Sequence, residues 1–358
     1  MSGTSLDGID AVLVEFQSDA SDASRLIQTA YQPYPAQLRE QLLELHQPTH
    51  NELERAACIG STLATAYAET VNRLLQATEV RPDQITAIGC HGQTVRHRPD
   101  LGFSLQLGNP ALLAELTGIA TVADFRNRDI AAGGQGAPLV PAFHKAMFQH
   151  TSINRVIVNI GGIANLTNLR ITDEIAGFDC GPGNMLMDAW TMQHLGQPYD
   201  KDGAWANRGN IIGTLLDKLQ SHSFFSAPPP KSTGREAFNL DWLNSFLSGQ
   251  ETPADVQATL MGLTVTGIQR AITEYCVGAQ EVYLCGGGAR NPVLVKQLQR
   301  ALPDKSVALT DMLGVNADWV EAFAFAWLAR QTLEGRPGNL PQVTGARHPC
   351  ILGAIYPA

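Results

Sequence analysis

The apolar residues of this chain follow two alternating periodicities. Residues 11–16 and 156–160 are short apolar runs rich in β-branched side chains, which predict buried strands. Residues 51–77 and 253–276 place apolar side chains about every 3.6 positions, which predicts two long helices. The same reading predicts strands at 85–88, 119–123, 163–169, 281–285 and 307–309, and helices at 185–195, from 292 onward and at 319–333. Because strands alternate with helices, the pattern predicts an α/β protein with mixed or parallel central sheets.

Capping residues in the sequence indicate where several of these helices begin or end. Asn184 stands at an N-cap position and Gly196 at a C′ position, and Thr252 with Pro253 opens the helix at 253–276. The turn-rich residues 124–136 form the best candidate domain boundary, and 358 residues suffice for two domains.

The two halves of the chain share a coarse feature. Each half offers a β-hairpin with a glycine-containing turn of small polar residues, at 2–8 and at 159–165. Two such hairpins facing each other would clamp a polyphosphate, because glycine lets backbone N–H groups approach phosphate oxygens.

Composition and charge narrow the classes of function. The chain has 25 Lys and Arg against 34 Asp and Glu, a net charge of −9, which argues against nucleic-acid and anionic-membrane partners. With 44% hydrophobic residues it can bury a sizeable core. No apolar run approaches the ~18–20 residues of a membrane span, and no signal-peptide pattern opens the sequence. The six cysteines form no C-x-x-C pair. We therefore expect a cytoplasmic protein with reduced thiols.

Two well-known nucleotide-binding motifs are absent from the sequence. No glycine is followed by lysine, so there is no G-x-x-x-x-G-K-[ST], and no G-x-G-x-x-G follows a predicted strand. P-loop enzymes and Rossmann dehydrogenases are therefore disfavoured. The remaining glycine loops each have two readings. Residues 2–8 and 159–162 are either phosphate loops or ordinary hairpin turns, and residues 285–291 (CGGGARN) are either a shelf for a base and ribose or a flexible connector.

Asp179 is the leading candidate for a catalytic base. It follows a predicted short strand and precedes Gly181-Pro182-Gly183 and a predicted helix. A carboxylate at such a bend points into the ligand cleft of an α/β protein, where it can accept a proton. The alternative is a structural turn or capping aspartate. Asp188, inside the helix, reads as structural.

Other polar residues lie just past strand ends or in loops. His91, Gln93, Arg126 and Arg128 suit hydrogen bonding to a sugar and its carboxylate. A histidine such as His91, taken alone, is more often structural, and the alternative for the two arginines is a solvated charge cluster with Asp124 and Asp129. Residues 231–236 (KSTGRE) are either a lid or a solvated loop. Glu321 is either a functional carboxylate in an apolar helix or a surface residue.

Together these segments resemble the anhydro-N-acetylmuramic acid kinase family. The matching segments are SGTSLDG (2–8), GCHGQT (89–94), GGQGAPLVPAFH (133–144), NIGG (159–162), GFDCGPGN (177–184), KSTGRE (231–236) and CGGG (285–288). They occur in order over nearly the whole chain, and several are long and specific.

The resemblance implies a fold of two actin- and hexokinase-like (ribonuclease H-like) α/β domains. Each domain would have a five-stranded mixed sheet, with an ATP cleft between the domains. We expect residues 1–128 plus 341–358 to form the N-terminal domain and residues 129–340 the C-terminal domain. The resemblance also implies a homodimer.

The resemblance implies an unusual kinase reaction. The enzyme would add water across the 1,6-anhydro bond of 1,6-anhydro-N-acetylmuramic acid and phosphorylate O6, giving N-acetylmuramate 6-phosphate and ADP during peptidoglycan recycling. Asp179 matches the catalytic aspartate, and Mg²⁺ would be held mainly by the ATP phosphates. The implied sugar-binding residues are His91, Gln93, Arg128 and Glu321. The implied ATP-binding residues are Gly3, Thr4, Ser5, Leu6, Asp7, Gly8, Ile9, Asp10, Asn159, Gly161, Gly162, Gly286, Gly287, Gly288 and Asn291.

The sequence departs from the family pattern in two places. Family members usually carry a short apolar strand ahead of MSGTS, whereas Met1 stands within that motif here, and we expect the first phosphate loop to be weakened. Three arginines are common where this chain has Arg126, Asn127 and Arg128. The alternatives are another sugar kinase of the same fold and a non-catalytic ATP-binding module of the actin or Hsp70 kind.

Overall fold

The computed structural model describes residues 1–3, 6–17, 24–48, 50–172 and 174–358. The chain divides into two compact units. The first unit comprises Met1–Met147 and Trp319–Ala358, and the second comprises Phe148–Asp318. Both units mix helices and strands, so the predicted α/β class is confirmed. No helix within the described ranges has the length and apolar character that crossing a membrane requires.

The first unit contains seven strands and seven helices among its described residues. They are β1 (Gly8–Phe16), β2 (Ser24–Pro33), α1 (Ala36–Glu44), α2 (Glu52–Gln76), β3 (Ile88–Gly89), β4 (Gln93–Arg98), β5 (Phe103–Leu107), α3 (Pro110–Thr117), β6 (Thr121–Ala123), α4 (Asn127–Ala131) and α5 (Val140–Phe148), whose last residue falls in the second unit. After the second unit, the chain returns with α12 (Val320–Leu333), α13 (Pro341–Thr344) and β12 (Ala354–Tyr356).

The second unit is built around one five-stranded mixed sheet. Its elements are β7 (Arg155–Ile160), β8 (Ile163–Leu169), β9 (Ile175–Pro182), α6 (Met185–Leu195), α7 (Gly213–Gln220), α8 (Ser223–Ser226), α9 (Leu240–Asn244), α10 (Pro253–Tyr275), β10 (Glu281–Cys285), α11 (Pro292–Ala301) and β11 (Ser306–Leu309). The strand order is β11-β10-β7-β8-β9. Strands β7, β8 and β9 are antiparallel neighbours, whereas β10 and β11 run parallel to β7. This is the five-stranded mixed sheet that the sequence predicts for this domain.

The sheet of the first unit is divided, in contrast to the single five-stranded sheet expected there. Strands β1 and β2 form one antiparallel pair, β12, β6 and β3 form a three-stranded sheet, and β4 and β5 form a separate hairpin. Among the described residues no strand joins β1 to β3. Helix α2 packs on β1 and β2, and α12 packs on β1 and β3. Gly89 in β3 allows this close approach, since a Cβ there would collide with the backbone of Phe325 in α12.

The unit boundaries differ from the predicted domain boundaries at 128/129 and 340/341. Residues 129–147 and 319–340 belong with the first unit. The reason is long-range packing, because the Phe143 ring of α5 lies 5.4 Å from Phe323 and 6.2 Å from Trp327 of α12. The sequence pattern marks the turns near 124–136 but carries no sign of this packing.

A buried carboxylate also ties α4 to the carboxyl-terminal segment. Asp129 is fully buried, and its Oδ1 accepts hydrogen bonds from Asn339 Nδ2 (2.6 Å) and Thr344 Oγ1 (2.7 Å). Its Oδ2 accepts a bond from the backbone N–H of Gly136 at 2.7 Å. One side chain therefore fastens three separate stretches of the first unit.

We expect Asp129→Ala to destabilise the first unit by about 3 kcal/mol or more, because three buried donors lose their acceptor. Denaturant unfolding followed by circular dichroism measures this loss. Asp100→Ala is the matched control, since that carboxylate is exposed and its ion pair is with the exposed Arg98 two residues away. Equal stability of the two variants would contradict the assigned role of Asp129.

The local helix signals are mostly confirmed. Thr252 caps α10 by accepting a bond from the backbone N–H of Asp255, and Gly196 ends α6 in the left-handed conformation with φ of 64°. Asn184 stands at the N-cap position of α6, but its side chain makes no capping bond. Its Nδ2 instead donates to the carbonyl of Ile160 at 3.1 Å, so the interpretation of its side chain as a helix cap is wrong.

Candidate functional site

The candidate phosphate loop of the first unit is closed by backbone hydrogen bonds between Met1 and Asp10. The Met1 amino group donates to the carbonyl of Asp10 at 2.7 Å, and the Asp10 N–H donates to the carbonyl of Met1 at 2.8 Å. Ser2 is buried, and its Oγ lies 2.9 Å from the Tyr67 hydroxyl. The carbonyl of Gly3 accepts a bond from Gln93 Nε2 at 3.0 Å. Tyr67 of α2 and Gln93 of β4 thus hold the start of the loop in place.

The second half of this loop returns to β1. Leu6 is buried with φ of 56°, and its carbonyl accepts a bond from Arg39 Nε at 3.1 Å. The exposed Asp7 accepts a bond from the N–H of Gly8 through its side chain, and its carbonyl accepts the N–H of Tyr34. Ile9 points into the core. Thr4 and Ser5, which the sequence places in the same loop, lie outside the described residues.

His91, which is buried, and Arg126, which is half-buried, form a pair beside this loop. His91 Nδ1 lies 3.2 Å from the carbonyl of Ser2, so this nitrogen carries the proton and donates. Nε2 then accepts from Arg126, whose Nη2 lies 2.9 Å away, so the imidazole is neutral. Burial, reinforced by the Arg126 charge, holds the pKa of His91 well below its usual range. His91 therefore serves as a hydrogen-bonding group and not as a cation.

Arg126 occupies the position beside His91, and Arg128 does not. Arg126 also donates to the carbonyl of Gly136 at 2.7 Å, and burial lowers its pKa to about 10 against the opposing effects of Glu321 and Asp129. Arg128 is exposed on α4. Glu321, in the first turn of α12, is close enough to Arg126 and to the Met1 ammonium to stabilise both charges. The structure thus places His91 and Glu321 beside Arg126, whereas Gln93 bonds to the loop at Gly3.

The second candidate phosphate loop is the β7–β8 turn. Gly161 and Gly162 form the turn, and their carbonyls accept the N–H groups of Asn184 (2.8 Å) and Gly183 (2.9 Å). Gly183 lies so close that an added Cβ would collide with the Gly161 carbonyl oxygen. The turn and the start of α6 therefore form one packed backbone unit.

The glycines after β10 pack against the same turn. A Cβ on Gly288 would collide with the Ile160 side chain, and one on Gly286 would collide with Asn159 Oδ1. Gly286 has φ of 79°, which favours glycine. Gly287 meets only Asn184 Nδ2, 3.9 Å from a Cβ position. The structure therefore brings the predicted residues of 159–162 and 286–288 together.

The side chain of Asn291 caps helix α11. Its Oδ1 accepts hydrogen bonds from the N–H groups of Val293 and Leu294, both at 3.1 Å, and so caps α11. The neighbouring Arg290 is held by Asp318, with Nε 2.9 Å from Oδ1, and by Asn316 at 2.7 Å. These bonds fix the position of the 286–290 segment relative to the loop before α12.

Asp179 lies within β9, whereas the sequence placed it after a strand. It pairs with Asn165 of β8, and a β-bulge follows at once because Ala164 pairs with Gly181. Bulges re-aim side chains and are common beside active sites. Burial raises the pKa of Asp179 to about 6, the Thr233 N–H opposes the shift, and the like charge of Glu236 adds to it.

A loop that follows α8 supplies the partner of Asp179. The N–H of Thr233 donates to Asp179 Oδ2 at 2.9 Å, and the Asp179 N–H donates to the carbonyl of Lys231 at 3.1 Å. Lys231 is anchored in turn, since Nζ donates to the carbonyl of Phe224 and lies 4.8 Å above the Phe224 ring. The loop therefore orients one carboxylate oxygen and holds a partly buried base with a raised pKa.

A cluster of aromatic rings packs at both ends of this loop. Phe238 lies 5.8 Å from Phe224, 5.8 Å from Phe225 and 5.0 Å from Trp242, measured between ring centroids. Because these rings belong to α8, α9 and the segment between them, they fix both ends of residues 227–239. Residues 231–236 themselves stay half-buried or exposed, so both readings of this segment, a lid and a solvated loop, remain predictions.

Two contributors were missed or misread from the sequence. Thr233 acts through its backbone N–H, which any residue type supplies, so no side-chain signal marks it. Asn184 carried a helix-cap signal that hid its bond to Ile160. The choice of Arg128 as the sugar-facing arginine stays a prediction, and the structure adds that Arg126 is the arginine that contacts His91.

A family model and curated relatives match this chain over its full length. The family model described as anhydro-N-acetylmuramic acid kinase matches residues 1–358. The chain is 59% identical over 360 residues to the anhydro-N-acetylmuramic acid kinase of Nitrosospira multiformis, covering 100% of this chain and 98% of that one. It is 57% identical to that of Nitrosomonas europaea, with the same coverage. Among solved structures, the activator of 2-hydroxyisocaproyl-CoA dehydratase from Clostridium difficile with bound ADPNP has a TM-score of 0.38 and 13% identity, covering 75% of this chain and 84% of that one.

Proposed function

Because the chain belongs to the anhydro-N-acetylmuramic acid kinase family, we propose that it opens the 1,6-anhydro ring of 1,6-anhydro-N-acetylmuramic acid with water and phosphorylates O6. ATP is the phosphoryl donor, and the products are N-acetylmuramate 6-phosphate and ADP. The step belongs to the recycling of cell-wall peptidoglycan.

The catalytic proposal rests on the burial, the raised pKa and the hydrogen bonding of Asp179. Its carboxylate is partly buried, has a pKa of about 6, and has Oδ2 bonded to the Thr233 N–H. A base works best with a pKa near the working pH, because it is then ionised and still basic enough to accept a proton. Asp179 therefore suits the abstraction of a proton from water.

The proposed reaction balances in one sequence of bond changes. Asp179 takes a proton from water while the water oxygen attacks C1, and the C1–O6 bond breaks with its electron pair going to O6. The O6 oxygen then attacks the γ-phosphorus of ATP, and ADP leaves. A ring ether oxygen cannot attack phosphorus before it is released, so one base initiates both events. A positioned base contributes about 10²–10⁴-fold, and positioning of the reactants supplies much of the remainder.

The glycine turns suit the binding of ATP phosphates. In the first unit we assign residues Gly3–Asp10, including Thr4 and Ser5, to phosphate contacts. In the second unit we assign Asn159, Gly161 and Gly162 to phosphate contacts and the Gly286–Gly288 shelf with Asn291 to adenosine. The support is the partly or fully exposed backbone of Gly3, Gly161, Gly162, Gly286 and Gly287, which is open to close approach by a ligand.

Four polar residues of the first unit suit the sugar. We assign His91, Gln93, Arg128 and Glu321 to it, and the neutral His91 is suited to hydroxyl or acetamido groups because it carries no charge. An arginine suits the lactyl carboxylate, since a guanidinium binds carboxylates in a bidentate manner. The exposed Arg128 is able to reach a ligand without losing an internal partner, whereas Arg126 is already engaged with His91 and Gly136.

Mg²⁺ fits this site as a companion of ATP. It usually keeps several waters and binds through substrate phosphates with one or two carboxylates. Over the described ranges no three His, Cys, Asp or Glu side chains are grouped so that they could hold a metal ion. We therefore assign the ion mainly to the phosphate oxygens, where it offsets developing charge. We also propose that the protein works in the cytoplasm. We further propose that it is a homodimer, and sedimentation equilibrium tests this oligomeric state.

One mass-spectrometric assay tests the proposed reaction. The protein is mixed with ATP, Mg²⁺ and 1,6-anhydro-N-acetylmuramic acid in ¹⁸O-water. We expect a product heavier by one phosphate and one water, with ¹⁸O at C1. ATP consumption with unchanged sugar would indicate another kinase or an ATPase, and label at the phosphate would exclude attack by water on C1.

The raised pKa of Asp179 predicts the acid limb of the pH profile. The base must be ionised, so kcat/KM is expected to fall about tenfold per pH unit below about 6. Because substrate phosphates also titrate near this pH, the control is Glu236→Gln. Removing that like charge lowers the pKa of Asp179 and moves the limb to lower pH, whereas Asp241→Asn on α9 leaves it in place. Identical limbs in both variants would assign the titration to the substrate.

A further inference from the structure

The side chain of Lys231 lies in an aromatic site next to β9. Its ammonium nitrogen Nζ donates to the carbonyl of Phe224 at 3.2 Å and lies 4.8 Å from the centre of the Phe224 ring. It also lies 5.8 Å from the centre of the Tyr275 ring at the end of α10. A cation over aromatic faces is attracted to them, and the attraction grows as water is removed. Because the side chain is half-buried, these contacts hold it against α8 and α10.

The two rings of this site also pack on β9. The Tyr275 ring lies 5.5 Å from Phe178 in an edge-to-face arrangement, and Phe178 directly precedes Asp179 in the strand. A Cβ placed on Gly181, two residues after Asp179, would lie 3.7 Å from the Phe224 ring. The ammonium is therefore fixed to rings that contact β9 both before and after the candidate base.

The backbone of Lys231 bonds to the candidate base itself. The Lys231 carbonyl accepts the N–H of Asp179 at 3.1 Å. Two residues further on, the Thr233 N–H donates to Asp179 Oδ2 at 2.9 Å. Because Thr233 is so near in the chain, a shift of the Lys231 backbone also moves the Thr233 N–H relative to the carboxylate. Side chain and backbone of this lysine thus close a ring of contacts with β9.

The charges around the two groups indicate how the lysine affects the base. Burial lowers the pKa of the Lys231 amine, Arg270 of α10 adds to this shift, and Cys180 of β9 and Glu274 of α10 oppose it. The pKa of Asp179 responds to its own burial, to the Thr233 N–H and to the like charge of Glu236. Lys231 therefore acts on Asp179 through the backbone that it anchors, rather than through its own charge.

We propose that Lys231 is a positioning residue: its ammonium, seated between the Phe224 and Tyr275 rings, holds the 231–233 backbone so that Asp179 is aimed to accept a proton from water. This inference rests on the proposed function and adds a residue to it. The role requires no contact between Lys231 and a substrate. It gives the first residue of the 231–236 segment a task that neither of its two readings, a lid or a solvated loop, includes.

The first test compares Lys231→Met with Lys231→Arg. Methionine keeps an unbranched side chain but removes the ammonium, whereas arginine keeps a cation that donates hydrogen bonds and stacks on rings. We expect Lys231→Met to lower kcat at least about tenfold with little change in KM, because the base is misplaced. We expect Lys231→Arg to recover most of this loss. Lys218→Met on α7 is the control, since that lysine is exposed in the same unit.

The pH profile separates a positioning role from a merely structural one. The Thr233 N–H stabilises the ionised carboxylate, so its displacement raises the pKa of Asp179. The acid limb of kcat/KM should therefore move to higher pH in Lys231→Met, by about half a unit or more. A merely structural loss reduces the amount of folded protein and leaves the limb in place. An unchanged limb in Lys231→Met would overturn the proposal.

A second variant, Phe224→Leu, keeps the proposal falsifiable if Lys231→Met does not fold. It removes the ring under the ammonium and keeps the carbonyl that accepts the Nζ bond. We expect the acid limb to move in the same direction by a smaller amount. Phe246→Leu is the matched control, since that ring belongs to the same aromatic cluster and packs on Trp242. Equal acid limbs in the two leucine variants would refute the role of the site.

Titration of the Asp179 carboxyl carbon by ¹³C NMR tests the positioning without any substrate. Its signal in protein labelled with ¹³C-aspartate is identified by its loss in Asp179→Asn. We expect the carboxyl to titrate at higher pH in Lys231→Met than in the parent, and at the parent value in Lys218→Met. A parent that leaves the anhydro sugar unchanged would contradict the proposed function and leave this measurement valid. The same titration midpoint in Lys231→Met and the parent would overturn the positioning role.

Discussion

An Asp179→Asn variant is expected to bind ATP and the anhydro sugar as the parent does but to turn over at least ~10³-fold more slowly. The amide has the shape of the carboxylate, and its oxygen can still accept the Thr233 N–H, so β9 and the 231–236 loop keep their positions. The amide cannot take a proton from water. The loss should therefore appear in kcat, with substrate affinity preserved.

Isothermal titration for binding and a coupled ADP assay for turnover measure the two properties separately. Asp217→Asn on α7 is the control, since that carboxylate is exposed in the same unit. Intact binding with turnover near that of the parent would show that Asp179 is not the base. Loss of binding together with turnover would instead indicate a structural role, and thermal unfolding of the variant would register it.

The elements with strong periodicity could be predicted from the sequence. Helix α2 was predicted at 51–77 and occupies Glu52–Gln76, and α10 was predicted at 253–276 and occupies Pro253–Tyr275. The β7–β8 hairpin was also predicted, and its strands pair as expected. In each case the pattern is local and repeats over several turns or alternations, so tertiary contacts reinforce it.

Short strands and long-range organisation could not be predicted as well. The β4–β5 hairpin was missed, and β3 is reduced from a predicted 85–88 to Ile88–Gly89. Two residues suffice there because backbone pairing to β6 and packing under α12 define the strand, and neither is local. The unit boundaries depend on the ring contacts of Phe143 with α12, which join positions about 180 residues apart.

The candidate site, like the fold, could be predicted from the sequence only in part. Glycine turns and Asp179 are visible as residue types, but the packing of 159–162 against 286–288 appears only in the structure. The environment that gives these residues their properties is not visible. Burial of Asp179, the Thr233 N–H and the β-bulge at Cys180 arise from backbone geometry, which a sequence of side chains does not encode locally.

Backbone geometry also explains the second prediction with a large expected effect, Gly183→Ala. An added Cβ would collide with the Gly161 carbonyl oxygen and lie 3.1 Å from the N of Ala164. Both neighbours are backbone atoms of the β7–β8 hairpin, so neither can rotate away as a side chain would. The turn must separate from the start of α6, which breaks the bond from the Gly183 N–H to the Gly162 carbonyl.

We expect Gly183→Ala to lower the unfolding free energy by about 2–3 kcal/mol and to raise the KM for ATP at least about tenfold, because the same turn is assigned to phosphate contacts. Calorimetry and initial rates at varied ATP measure both quantities. Gly213→Ala is the matched control, since a Cβ there meets nothing within 4 Å and lies in the first turn of α7. If Gly183→Ala unfolds and binds ATP like Gly213→Ala, the close approach of turn and helix is dispensable. If stability falls while KM stays constant, the turn is structural and the phosphates bind elsewhere.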